Sequence, residues 1–172
     1  MKKPKFIPGE IYHVYNRGVE KRRIFMDDGD YFRFVHDLFE FNDHSSASNL
    51  NRSIKSNSSQ LFEVQPQTVE RKPRKLLVEI LAWCLMPNHY HILLKERGAG
   101  GIINFMKKLN TGFAMFFNKK YDRVGPLFQG RFKAVGINQD QHLKYLVNYI
   151  HLNLLDIIAP EWRLKKLRNF KQ

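Results

Sequence analysis

Leu85-Met86-Pro87-Asn88-His89-Tyr90-His91-Ile92-Leu93-Leu94 carries two histidines, one residue apart, at the start of an apolar run. Side chains alternate along a strand, so His89 and His91 share one face while Tyr90, Ile92 and Leu94 share the other, where a core can take them. Pro87-Asn88 is a turn dipeptide, and the stretch before it, Leu76 to Leu85, is almost wholly apolar. The two runs read as neighbouring strands of a hairpin with both imidazoles near its turn. An imidazole pair on so stiff a frame is a two-ligand edge for a divalent metal. Taken alone, the spacing is more often structural than metal-binding.

Upstream, Glu10 to Gly18 reads as a first strand, with Ile11, His13 and Tyr15 on one face and Tyr12 and Val14 on the other. Two roles are open to His13: a metal ligand, or the commoner one, a hydrogen bond within the sheet. Asp27-Asp28-Gly29-Asp30 offers N-cap carboxylates for a helix whose apolar stripe is Tyr31, Phe34, Val35, Leu38 and Phe39. Between Asn42 and Lys75 the composition changes. Seven serines fall between Ser45 and Ser59, with interleaved asparagines and no apolar period. A flexible insertion over 43–75 is expected.

Downstream, Gly98-Ala99-Gly100-Gly101 is a loop without the Gly-Lys-Ser/Thr of a phosphate-binding loop. Ile102, Met106, Leu109, Phe113 and Phe116 then mark a long amphipathic helix, with Lys107, Lys108, Lys119 and Lys120 off its stripe. The loop Gly125 to Lys133 carries Gln129, Arg131 and Lys133 and leads into a short strand over Phe132 to Ile137. Asn138 with Gln141 resembles a capping box. The helix after it has a stripe of Leu143, Leu146, Val147, Ile150 and Leu154, and Tyr145, Tyr149 and Asn153 align along its flank. Residues 160–172 form a basic tail.

The order β-α-(insert)-β-β-α-β-α fits a single α+β domain over 1–172. Its first six elements are those of a ferredoxin-like antiparallel sheet with helices on one face. The open face then carries His89 and His91, and the last helix can lay Tyr149 and Asn153 beside them.

Lysine and arginine number 29 against 16 aspartates and glutamates, a formal charge of +13. Such an imbalance calls for an anionic partner, nucleic acid ahead of an anionic membrane surface. Fourteen Phe and seven Tyr add rings of the kind used in base stacking, although most lie at core spacing. No apolar run approaches the roughly 18 to 20 residues of a membrane span. The lone Cys84 excludes an intrachain disulfide, which suits a reducing cytoplasm.

Met86 to His91 with the following Ile92-Leu93-Leu94 resembles the HUH motif of the IS200/IS605-type single-tyrosine transposases, including the REP-associated tyrosine transposases. His13 to Gly18 is similar to that family's first strand, Phe128 to Lys133 to its segment before the last strand, and Tyr149 to Asn153 to its nucleophile-bearing helix. The resemblance implies a divalent metal, Mg²⁺ or Mn²⁺, on His89, His91 and Asn153, with Tyr149 as nucleophile. It implies cleavage and rejoining of single-stranded DNA next to hairpins through a 5′-phosphotyrosine. With the basic charge, it makes Arg17, Lys107, Lys108, Gln129, Arg131 and Lys133 the candidate nucleic-acid contacts. Relatives include monomers and homodimers, and both states stay open. Two other classes compete: a catalytically idle hairpin DNA- or RNA-binding module of the same fold, and a metal hydrolase acting on a small substrate. The charge and the absence of further convergent ligands weigh against the hydrolase. Retention of both histidines and an in-register tyrosine weighs against the idle module. Relatives often have proline after the helix asparagine, where this chain has Leu154-Leu155.

Overall fold

A computed structural model describes residues 4–45 and 73–152 of the chain. Residues 46–72 of the expected insertion, Asn153, Leu154 and the basic tail lie outside the described residues. The elements are β1 (Ile11–Arg17), α1 (Asp28–Glu40), β2 (Val78–Met86), β3 (His89–Glu96), α2 (Gly101–Lys120), β4 (Lys133–Ile137) and α3 (Asp140–Leu152), with a short 3₁₀ turn at Val19–Lys21. The four strands form one antiparallel sheet in the order β2-β3-β1-β4. β3 lies between β1 and β2, as a split βαβ requires. The histidine strand is therefore one of the two inner strands, held by hydrogen bonds on both sides.

The alternation expected of β1 and β3 decides which face is which. Tyr12, Val14, Tyr90, Ile92 and Leu94 all point into the main core, beneath α1 and α2. α2 contributes Ile102, Phe105, Met106, Leu109 and Phe113, all fully buried. Each such side chain stabilises the fold by about 1.5–3 kcal/mol through lost apolar exposure. Two details of the expected stripes shift. Val35 and Phe39 stay 36% and 52% exposed, and the inner side of α1 instead carries Asp30 and Asp37 beside Phe34 and Leu38. In the last turns of α2, Phe117 takes the deep position and Phe116 only packs against the core's margin.

Local chemistry sets the helix starts. The Asp27 carboxylate accepts the Asp30 amide at 3.1 Å and caps α1 as expected. The start of α2 is held by Glu96 at the end of β3. Its buried carboxylate accepts the amides of Gly101 at 2.7 Å and Ile102 at 2.8 Å, a negative charge at a positive helix end. Gly101 is required there because a Cβ would meet the Leu77 carbonyl oxygen at 2.2 Å. Asn138 does not cap α3. The helix begins at Asp140, and the Gln139 carbonyl accepts the Leu143 amide, so Gln139 occupies the cap position. At the insertion, the His44 amide donates to the Lys75 carbonyl at 2.9 Å, which brings its two ends together.

α1 and α2 share one face, as the split βαβ predicts. α3, the seventh element, packs on the other. There Leu146 and Ile150 close over Ala82, Cys84, Leu93 and Ile137 in a second, smaller core. Leu93 belongs to this face by the same period of two that places His89 and His91 on it. Among the described residues, no helix is long and apolar enough to cross a membrane.

Candidate active site

Strand pairing assembles the site. Tyr15 pairs with His91 and Arg17 with His89 across β1 and β3, so these four side chains project from the same face. The imidazoles of His89 and His91 have centroids 5.0 Å apart and planes at 86°. Each has one ring nitrogen already engaged. His89 Nδ1 meets Asn88 Oδ1 at 2.6 Å, and His91 Nδ1 meets His13 Nε2 at 2.8 Å. His91 Nε2 is buried with no hydrogen-bond partner. An orphaned imidazole nitrogen beside a second imidazole tied through its own Nδ1 is the arrangement a metal-binding pair presents.

Electrostatics keeps these rings neutral. Burial holds His91 down to about 3, with the neighbouring His13 and His89 adding to the effect. Burial likewise holds His13 down to about 4, with His142 contributing. His89 is lowered by burial first and by the Arg17 guanidinium second. A neutral imidazole keeps the lone pair that a metal needs. Among the described residues, no group of three His, Cys, Asp or Glu side chains is placed to hold an ion. The two histidines therefore fit as a two-ligand edge, and the expected third ligand, Asn153, lies outside the described residues.

α3 brings the tyrosine. Its smaller core seats Ile150, and the preceding Tyr149 stands against His91, ring centroids 5.7 Å apart and planes at 83°. Tyr145, one turn earlier, is 63% exposed and stacks nearly parallel on Tyr149 at 6.1 Å. A cleft of about 360 Å³ opens beside these rings, lined also by Arg17, Gln129, Arg131 and Lys133. The loop that carries Gln129 and Arg131, and leads into Lys133 at the start of β4, is stitched to the end of β1. The Gln129 amide donates to the Arg17 carbonyl at 2.9 Å, and Asn16 Nδ2 donates to the Gly130 carbonyl at 3.0 Å. Arg17 Nε, like His91 Nε2, is buried without a partner. Two unpaired polar atoms, an imidazole nitrogen and a cationic N–H, thus belong to residues of a single cleft.

Residues 66–153, more than half of the chain, match the family model described as "Transposase IS200 like". The chain belongs to the IS200-like transposase family. The matched span runs through both histidines, the Gln129–Lys133 loop and Tyr149 and ends at Asn153. Among solved structures, the transposase resembles a REP-associated tyrosine transposase bound to a REP hairpin, with 16% identity and a TM-score of 0.53 over 91% of this chain and 73% of that one. That likeness is one of fold. A transposase-like protein of Deinococcus radiodurans R1 aligns at 14% identity and a TM-score of 0.47, over 88% of this chain and 96% of its own. No curated protein matches the chain significantly.

Seven of the residues singled out in this transposase's sequence meet at the cleft: His89, His91, Tyr149, Arg17, Gln129, Arg131 and Lys133. Lys107 and Lys108 do not. They lie on α2, across the sheet, where Lys108 Nζ donates to the carbonyls of Asp43 at 2.5 Å and Ser45 at 2.6 Å. Two contributors are not singled out by the sequence, Asn16 and Asn88, whereas His13 makes the hydrogen bond within the sheet expected of it, and its partner is His91. Asn88 reads only as a turn residue, although its place next to a histidine was the available signal. Tyr121 is remote from the cleft and donates its hydroxyl to Asp30 Oδ2 at 2.8 Å.

Proposed function

We propose that this transposase cleaves and rejoins single-stranded DNA beside hairpins through a 5′-phosphotyrosine on Tyr149. The observation that carries this reading is the Tyr149 ring set against His91, whose Nε2 is buried and unpartnered, at the mouth of a cationic cleft. His89 and His91, with Asn153, would hold a divalent ion, Mg²⁺ or Mn²⁺. When bound, such an ion supplies positive charge to a phosphate oxygen and so favours the build-up of charge in phosphoryl transfer.

The chain's own residues do the rest. Arg17, Arg131 and Lys133 hold phosphates along the cleft, and the buried guanidinium nitrogen of Arg17 has a free N–H for one of them. The Tyr149 oxygen attacks the phosphorus and forms the new P–O bond as the P–O3′ bond breaks, the phenol proton passing to solvent and the leaving O3′ taking one up in its place. One strand keeps a free 3′-hydroxyl, and the other is joined to the tyrosine through its 5′-phosphate. The new phosphodiester retains the bond energy, so a 3′-hydroxyl attacking the phosphotyrosine rejoins a strand without ATP. Water in place of tyrosine would lose that energy.

The relative bound to a REP hairpin supports a hairpin-flanked substrate for this chain too. The other reading, a hairpin-binding module without turnover, explains the cationic cleft equally well. It gives no reason for two neutral imidazoles and a tyrosine to converge there. Incubation with end-labelled single-stranded DNA carrying a hairpin separates the two. A covalent adduct that survives denaturation and depends on Tyr149 is the expected result. Tight binding without adduct would leave only the module.

A further inference from the structure

We propose that His13 is the positioning residue of this site. Its Nε2 accepts a hydrogen bond from His91 Nδ1–H and so fixes His91 as the tautomer whose Nε2 lone pair is presented to the cleft. The inference rests on His89 and His91 being the ligand pair of the proposed function. It adds a residue on β1 that prepares one of them.

The proton count gives the direction of the bond. Two neutral imidazoles carry two ring protons among four nitrogens, and one proton lies in the 2.8 Å contact between His13 Nε2 and His91 Nδ1. If His13 were the donor, the remaining proton of His91 would sit on Nε2. That nitrogen is buried and unpartnered, so an N–H donor would be stranded there. If His91 is the donor, its Nε2 keeps a lone pair and the proton of His13 sits on Nδ1. His13 leaves no ring nitrogen both buried and unpartnered, so its proton is accommodated without that penalty. A bare lone pair on the same nitrogen is also unpaired, but a cation in the cleft can satisfy it and cannot satisfy an N–H, so the second arrangement is the one that can coordinate.

His89 shows the same pattern independently. Asn88 Nδ2 donates to the Lys21 carbonyl at 3.2 Å, which sets the orientation of the amide and turns Oδ1 towards His89. An amide oxygen can only accept, so His89 Nδ1 carries the proton and Nε2 is bare. Both histidines therefore present Nε2, each with an acceptor behind it. His13 is also well placed to be rigid. It lies on β1, which is paired with both β3 and β4, and its ring lies edge to edge and nearly coplanar with that of His91, centroids 5.0 Å apart and planes at 21°, as a hydrogen bond between ring nitrogens requires.

The test reads the tautomer and the metal separately. In metal-free protein, ¹⁵N–¹H imidazole spectra should show His91 Nδ1 protonated and Nε2 bare. His13→Leu removes the acceptor and should mix the two tautomers. Mn²⁺ affinity, titrated by electron paramagnetic resonance, should then fall about 10–100-fold. His13→Gln offers an amide oxygen in place of Nε2 and should recover most of that loss. If His13→Leu does not fold, the wild-type spectrum and His13→Gln still decide. Protonated Nε2 on wild-type His91 overturns the proposal, as does folded His13→Leu binding Mn²⁺ as tightly as wild type. If wild type takes up no Mn²⁺ that His91→Ala abolishes, the ligand pair itself fails and the positioning role fails with it. The metal-free spectrum keeps that failure distinct from a wrong tautomer.

Discussion

The rings of Tyr149 and His91 meet edge to face at 5.7 Å, with planes 83° apart. One residue sits on α3 and the other on an inner strand, so the contact depends on α3 being seated by Leu146 and Ile150 over Leu93. That seating fixes which tyrosine reaches the histidines. Tyr145 stacks on Tyr149 from the outer side and remains exposed.

Tyr149→Phe removes a hydroxyl and keeps the ring, so folding and hairpin binding should persist. The covalent adduct should fall to background, since losing a nucleophile in a covalent enzyme costs on the order of 10⁶ in rate. Tyr145→Phe should still give adduct. Denaturing gels and peptide mapping check both, and an adduct mapped to Tyr145 would reassign the nucleophile.

His89→Ala and His91→Ala should each abolish cleavage while changing hairpin affinity little. Many phosphate contacts share the binding, whereas each histidine is half of the imidazole pair. Parallel gel-shift and cleavage assays with Mn²⁺, Mg²⁺ or EDTA make the comparison. Undiminished cleavage by either variant in EDTA would remove the metal from the mechanism.

Much of this site follows from short-range rules. The period of two on β3 places His89 and His91 opposite Tyr90 and Ile92, and nothing distant is needed to see it. The contact of His13 with His91 is different in kind. It joins residues 78 apart in sequence through the β1–β3 register, which long-range pairing sets. Lys107 and Lys108 show the converse limit. Helical period marks them as off the buried stripe, but only the packing of α2 on the far face shows that they point away from the cleft. Val35 and Phe39 fit the stripe of α1, yet remain exposed because the inner side of that helix is shared with Asp30 and Asp37.

Asp37 yields a pH prediction. Burial raises its carboxyl above the ordinary value of 3.8, outweighing the opposing pull of Arg33, whose Nε lies 2.9 Å from Oδ1. The folded chain therefore binds this proton more tightly than the unfolded chain. The stability it contributes is fully present below the unfolded pKa and is lost as pH rises through the folded one. Asp37→Asn removes the titration, so relative to wild type it should be more favourable at pH 7 than at pH 3. Urea melts at the two pH values measure the difference. The opposite trend would mean that the ion pair with Arg33 outweighs burial.

The cleft cations give the last prediction. Each phosphate neutralised on single-stranded DNA contributes about −0.7 to the slope of log affinity against log salt. Arg131 and Lys133 line the cleft, and neither has a carboxylate within ion-pair distance among the described residues. Arg131→Gln and Lys133→Gln should therefore weaken hairpin binding and make the slope shallower by about 0.7 each. Lys108→Gln should leave the slope nearly unchanged, because its ammonium is turned towards the Asp43 and Ser45 carbonyls on the other side of the sheet. Fluorescence anisotropy with a labelled hairpin across a salt series measures all three. An unchanged slope for Arg131→Gln and Lys133→Gln, together with a shallower one for Lys108→Gln, would move the DNA path from the histidine face to α2. Tyr149 could not then reach the phosphate it is proposed to attack.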